Sequence, residues 1–125
     1  MFDSEIQQLR ETVQEAVDQG RLGRPQFLRC IVEAREGEPP DRTLETILAL
    51  ARIWFGSHPV QHYRLGANGV YLTEMARWAE GQAALITISC GHPLPGADLQ
   101  EIAVIDLMLV GSRGTLYHDH GHARR

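Results

Sequence analysis

Asp41 to Phe55, DRTLETILALARIWF, is the one long and almost wholly apolar run with helical spacing. Leu44, Ile47, Leu48, Ala51 and Phe55 fall at i, i+3, i+4, i+7 and i+11, on one face of a helix. Leu50, Ile53 and Trp54 are apolar too, which leaves little circumference for water and predicts a helix buried on most sides. Pro39-Pro40 forbids an earlier start, Asp41 is placed to cap the first turn with its carboxylate, and Gly56 ends the helix. The rest of the chain is expected to wrap around it.

Asp3 to Gln19 reads as an amphipathic helix with a stripe of Ile6, Leu9, Val13, Ala16 and Val17, capped by Asp3 or Ser4 and ended by Gly20. Strands are predicted at Gln26–Arg35, Val60–Leu65, Val70–Ala79, Gln82–Cys90, Ile102–Val110 and Thr115–Tyr117. Glu80-Gly81 spaces a hairpin; Gly66-Ala67-Asn68-Gly69 and Gly111-Ser112-Arg113-Gly114 are further turns, and neither opens a helix that could hold a phosphate. The fold class is therefore α+β, a mainly antiparallel sheet with two helices on one face. Residues 1–118 form one domain, helix and turn occupying 1–24, and 119–125 a flexible His/Arg tail.

Several strands are apolar in both alternating sets. Leu72, Ala76 and Trp78 oppose Tyr71 and Met75; Ala84, Ile86 and Ile88 oppose Ala83 and Leu85; Ile102, Val104, Met108 and Val110 oppose Ala103, Ile105, Leu107 and Leu109. Two helices cover only one layer, and the other would expose more apolar surface than monomers carry. The expected partner is a second copy of the same sheet. Tyr71, Thr73, Met75 and Arg77 are the candidates for that interface because aromatic and polar side chains suit it, and a charge at Leu107 or Leu109 is expected to split or unfold the dimer.

Four motifs in order carry a resemblance. GRLGRPQFLRC is a helix end turning through Gly-x-x-Gly-x-Pro into a strand. ARIWFGSHPV is a helix end, Gly and Pro-Val. ARWAEGQAALITIS has Glu-Gly in its hairpin, and MLVGSRGTLYHD is a strand entering Gly-Ser-Arg-Gly-Thr-Leu. From about Glu5 to Asp119 the chain resembles the C-terminal domain of the glucose–fructose oxidoreductase / inositol dehydrogenase (Gfo/Idh/MocA) family. The resemblance implies a dimer-forming sheet and, in two-domain members, a separate Rossmann domain that binds the nicotinamide cofactor and carries a catalytic lysine. No Gly-x-Gly-x-x-Gly follows an N-terminal strand here, so no cofactor site is expected. The family's central helix carries Asp-x-Gly-x-His-x-x-Asp; counted back from Gly56, Arg42 stands at the first Asp, Leu44 at the Gly, Thr46 at the His and Ala49 at the last Asp. Thr46 does not titrate near neutral pH and cannot replace a general base.

Composition narrows the chemistry further. All twelve basic residues are Arg, which excludes Schiff-base, P-loop and acid–base lysines. A net charge of −4 gives no general attraction to nucleic acid or anionic lipid, and no apolar run approaches the ~20 residues of a membrane span. Cys30 and Cys90 read as buried thiols of a reducing cytoplasm, their separation being invisible in the sequence. Cys90 and His92 could form a Cys–His nucleophile, but no third group orients them. His118, His120 and His122 alternate in an extended tail and could chelate Zn²⁺ or Ni²⁺, against the ordering entropy of a frayed end. Of His58 and His62, one is expected at the surface and the other in an interfacial hydrogen bond. Asp106, the one charge in an apolar strand, needs a partner among Arg113, Arg77 and Arg64.

The expectation is a cytoplasmic, stand-alone, homodimeric binding or assembly module that is not an enzyme on its own. The alternatives are the substrate-domain subunit of a split NAD(P)-dependent oxidoreductase, whose Rossmann domain is a separate protein, and metal handling through the tail.

Overall fold

In the computed structural model the apolar run is the helix Pro40–Phe55, the second of the chain. The structure describes residues 3–34, 39–67, 71–90 and 104–120. In chain order the elements are α1 (Asp3–Asp18), β1 (Pro25–Ala34), α2 (Pro40–Phe55), β2 (Gln61–Ala67), β3 (Tyr71–Arg77), β4 (Ala83–Cys90), β5 (Val104–Gly111) and β6 (Thr115–His120). The strands form one open sheet in the order β2-β3-β4-β1-β5-β6. Only β1–β4 is parallel; the other four pairings are antiparallel. This is the α+β architecture that the patterning predicts.

α2 starts differently from expectation. Its N-cap is Pro39, with no side-chain cap, and Pro40 occupies the first turn, where a missing N–H costs nothing. Asp41 sits inside that turn and complements the helix dipole. Gly56 closes the helix in the left-handed region, φ 81°, its N–H donating to the Arg52 carbonyl at 2.8 Å.

One alternating set of each central strand is sealed beneath the two helices: Leu28, Cys30 and Val32 of β1, Ala84, Ile86 and Ile88 of β4, Ile105, Leu107 and Leu109 of β5. Leu44, Ile47, Leu48 and Ala51 of α2, and Leu9 and Val13 of α1, complete that core. Leu107 and Leu109 are thus fully buried under the helices. The expectation that they join the uncovered layer is corrected. Both sets of β5 are apolar, so pattern alone did not fix which faces the helices.

The tail expectation also shifts. β6 runs on to His120, with Leu107 opposite His118, Asp106 opposite Asp119 and Ile105 opposite His120. Backbone pairing holds residues whose side chains carry no apolar pattern. Deleting from His118 onward would therefore remove half a strand.

Cys30 lies opposite Ile86 and Cys90 opposite Ala34 on the neighbouring strand. Four residues along a ladder is about 13 Å, beyond the ~7 Å Cα reach of a disulfide. Burial, with the Asp106 charge nearby, pushes the Cys30 thiol up to about 12.

The turn after α1 and the β5–β6 turn clasp each other. Arg113 N–H donates to the Leu22 carbonyl at 2.8 Å, Ser112 N–H to the Arg24 carbonyl at 2.9 Å, and Arg24 N–H to Ser112 Oγ at 2.9 Å. A Cβ on Gly111 would collide with the Leu22 carbonyl oxygen.

Two measurements check this packing. Gly111→Ala should cost about 1–3 kcal/mol in denaturant unfolding, because the obstacle is rigid backbone. The native Cys30 thiol keeps its proton when the unfolded one, near pH 8.5, has lost it. Stability relative to Cys30→Ala should therefore fall as pH rises from about 9 towards 12, by up to about 1.4 kcal/mol per unit.

Candidate functional site

The second alternating set of the sheet faces away from both helices, and no described element covers it. Register sorts it into rows across the strands. One row runs Tyr63, Met75, Leu85, Arg29, Met108, Tyr117; the next runs Leu65, Thr73, Thr87, Ile31, Asp106, Asp119. Gln61, Arg77, Ala83, Phe27, Val110 and Thr115 make a third. Tyr63 is 68% exposed, Tyr117 69% and Leu65 53%, and Tyr71, Met75 and Ile31 are exposed as well. Such a run of aromatic and aliphatic side chains in water is characteristic of interaction surfaces. Tyr71, Thr73, Met75 and Arg77 all stand on this face; Thr73 and Thr87 are 3.3 Å apart across β3–β4, Oγ1 to Oγ1.

The helix-facing side holds a cluster that sequence reasoning missed. Glu74 of β3 is fully buried, with one carboxylate oxygen on His62 Nδ1 and the other accepting from Arg64 Nε at 2.6 Å. Arg64 also donates to Glu45 of α2 at 3.1 Å. Hydrogen bonding to Glu74 and Glu45 raises the Arg64 pKa further, against some desolvation. His62 and Arg64 occupy alternate positions on the edge strand β2, so the carboxylate ties that edge to the sheet and to α2. Parity was the available signal: Glu74 lies between Leu72 and Ala76, in the set destined for the core.

The other candidates are not brought together. On α2, Arg42 and Ala49 are exposed, and Thr46 spends its hydroxyl on the Arg42 carbonyl at 3.0 Å. That face has no acid–base pair. Asp106 forms no ion pair among the described residues: Arg64 is held by Glu74 and Glu45, and β1 and β4 lie between β5 and the Arg77 strand. His118 is half-buried on β6, His92 and His122 lie outside the described residues, and the described residues contain no cluster of three metal-ligating groups. No helix among them is long and apolar enough to cross a membrane.

No protein-family model and no curated protein matches the sequence. Solved structures do match, among them dehydrogenases of the Gfo/Idh/MocA type. A probable dehydrogenase from Thermotoga maritima is 17% identical, with a TM-score of 0.69 over 88% of this chain and 38% of its own. The myo-inositol 2-dehydrogenase of Lactobacillus plantarum is 16% identical, with a TM-score of 0.64 over 87% and 38%. The UDP-N-acetylglucosamine 3-dehydrogenase of Acidithiobacillus ferrooxidans is 16% identical, with a TM-score of 0.66 over 91% and 38%. The resemblance read from the four motifs thus holds at the level of the fold, and the chain spans under two-fifths of those enzymes' length.

Among the described residues, the α2 N-terminus does not suit the pyrophosphate of a dinucleotide. α2 is the helix that follows a strand, but its N-terminus carries two prolines and Asp41. A pyrophosphate there would meet a carboxylate and too few N–H donors.

Magnitudes rank the ion pairs. Removing both hydrogen-bond partners of Glu74, in the double variant His62→Ala/Arg64→Ala, leaves a buried carboxylate unpartnered and should cost about 3 kcal/mol in urea unfolding. Glu45→Ala breaks a half-exposed pair and should cost under about 1 kcal/mol.

Proposed function

We propose that this domain is a non-catalytic, homodimeric binding or assembly module with the uncovered sheet face as its interface. The observation that carries the reading is the exposed apolar layer of Tyr63, Leu65, Tyr71, Met75 and Tyr117 on a sheet whose opposite face is sealed by helices. A sheet face of this kind is stabilised by a second sheet laid against it, with side chains interleaved about 10 Å apart. Closed two-fold symmetry makes the same patch serve both copies. The α2 face with Arg42, Thr46 and Ala49 supports the non-catalytic half of the reading, since none of the three titrates as a general base near neutral pH.

A second reading is favoured by the share of the relatives covered, 38% for three of them. In it, the chain supplies the substrate-side part of an NAD(P)-dependent oxidoreductase whose Rossmann domain is a separate protein. Both readings expect no nucleotide affinity from this chain alone.

Size-exclusion chromatography with light scattering separates the interface from other surfaces. Met75→Asp on the uncovered face should shift the mass towards the 14.0 kDa monomer while the melting temperature stays within a few degrees. Ile53→Asp on the outer side of α2 should leave the dimer intact. Equal behaviour of the two variants would remove the sheet face as the interface. Calorimetric titration with NAD should show no binding tighter than ~100 μM, and tighter binding would overturn the non-catalytic reading.

A further inference from the structure

The middle of the uncovered face holds a block of four residues with its own symmetry. On β1 and β5 the register places Arg29 opposite Met108 and Ile31 opposite Asp106. One diagonal of this block is charged, Arg29 and Asp106. The other is apolar, Ile31 and Met108. Arg29 and Asp106 are both half-buried, and neither forms an ion pair among the described residues. An aspartate in the centre of an apolar layer is a liability unless something answers it, because a carboxylate that loses water without a partner costs several kcal/mol.

A second copy answers it. A two-fold axis in the plane between two facing sheets exchanges the two sides of any line drawn on the face. Laid along the Ile31–Met108 diagonal, it brings Ile31 onto its own copy and Met108 onto its own copy. Each Arg29 then stands over the partner's Asp106. We propose that this block sets the register of the homodimer through two reciprocal Arg29–Asp106 ion pairs flanking an Ile31/Met108 centre. This rests on the sheet-face dimer proposed above and names its register.

Three features of the block support it. Facing sheets are about 10 Å apart, a gap that the long arginine and short aspartate bridge together and that two aspartates could not. The diagonal runs obliquely to the strands, so the strands of the two sheets cross steeply, in the orthogonal class of sheet packing. In a slipped register Arg29 and Asp106 would meet Ile31 or Met108 and lose water for nothing, so the block disfavours slipped dimers as well as favouring one.

The test uses three purified full chains: wild type, Arg29→Asp and Asp106→Arg. Mass is followed by light scattering, and folding by circular dichroism and melting. Each variant alone sets like charges against each other twice, and its dimer dissociation constant should rise at least tenfold. Mixing the two variants gives one chain with two acids at these positions and one with two bases, so a mixed dimer should form within about threefold of the wild-type constant. A pair formed inside one chain would be broken in both variants and would not be restored by mixing. Folded variants that keep the wild-type constant, or that fail to associate when mixed, overturn the register while leaving the sheet-face dimer standing. A monomeric wild type overturns the dimer itself. Should either reversal unfold the chain, Arg29→Gln and Asp106→Asn take its place. The expected result is then a severalfold weaker dimer whose salt dependence is smaller than that of wild type. An unchanged constant and salt dependence overturns the proposal.

Discussion

Burial of α2 against one alternating set of the sheet is the interaction on which the rest depends. Ile47, Leu48 and Ala51 are almost wholly removed from water, and so are Cys30, Ile86 and Ala84 in the strands that share their core. A strand's side-chain period is two, so this contact fixes the parity of β1, β3 and β4, and backbone pairing passes that parity to β2, β5 and β6. Everything on the other parity is then committed to the uncovered face. Slipping β1 by one residue would drive Arg29 under the helices, and slipping β5 would drive Asp106 there and put Leu107 in water.

β1 is the hub of that arrangement. It lies between β4, its parallel neighbour, and β5, its antiparallel one. A parallel pairing needs a long crossover, and α2 is part of the one that leaves β1. At its start β1 is held by the clasp between the turn after α1 and the β5–β6 turn. The two glycine motifs that looked like separate sequence cues are thus the halves of one structure, with Gly111 backed directly against the Leu22 carbonyl.

Much of this was legible in the sequence. Helical spacing marked α1 and α2, Gly56 marked the end of α2, and Glu80-Gly81 marked the β3–β4 hairpin. Parity was legible on β3, where Tyr71, Thr73, Met75 and Arg77 differ in character from Leu72 and Ala76. It failed on β5, where both sets are apolar; the clue was Asp106, whose charge belongs with Met108 and Val110 on the uncovered side. β6 was cut short because backbone hydrogen bonds, not apolar alternation, hold His118 and Asp119. Parity alone marked Glu74; its partners come from α2 and β2, and only tertiary packing brings them to it. Counting back from Gly56 is enough to set Arg42, Thr46 and Ala49 against the motif; what packing adds is that Thr46 is bonded to its own helix.

In the proposed dimer, the uncovered face of the sheet is the contact between two copies of this chain. Sedimentation equilibrium over a dilution series, from about 100 μM down to about 1 μM, tests it most directly. Obligate interfaces built from such apolar surface hold through this range. The expected mass is twice the 14.0 kDa of one chain at the upper concentrations, with dissociation, if any, only at the lowest. A single 14.0 kDa species throughout would contradict it.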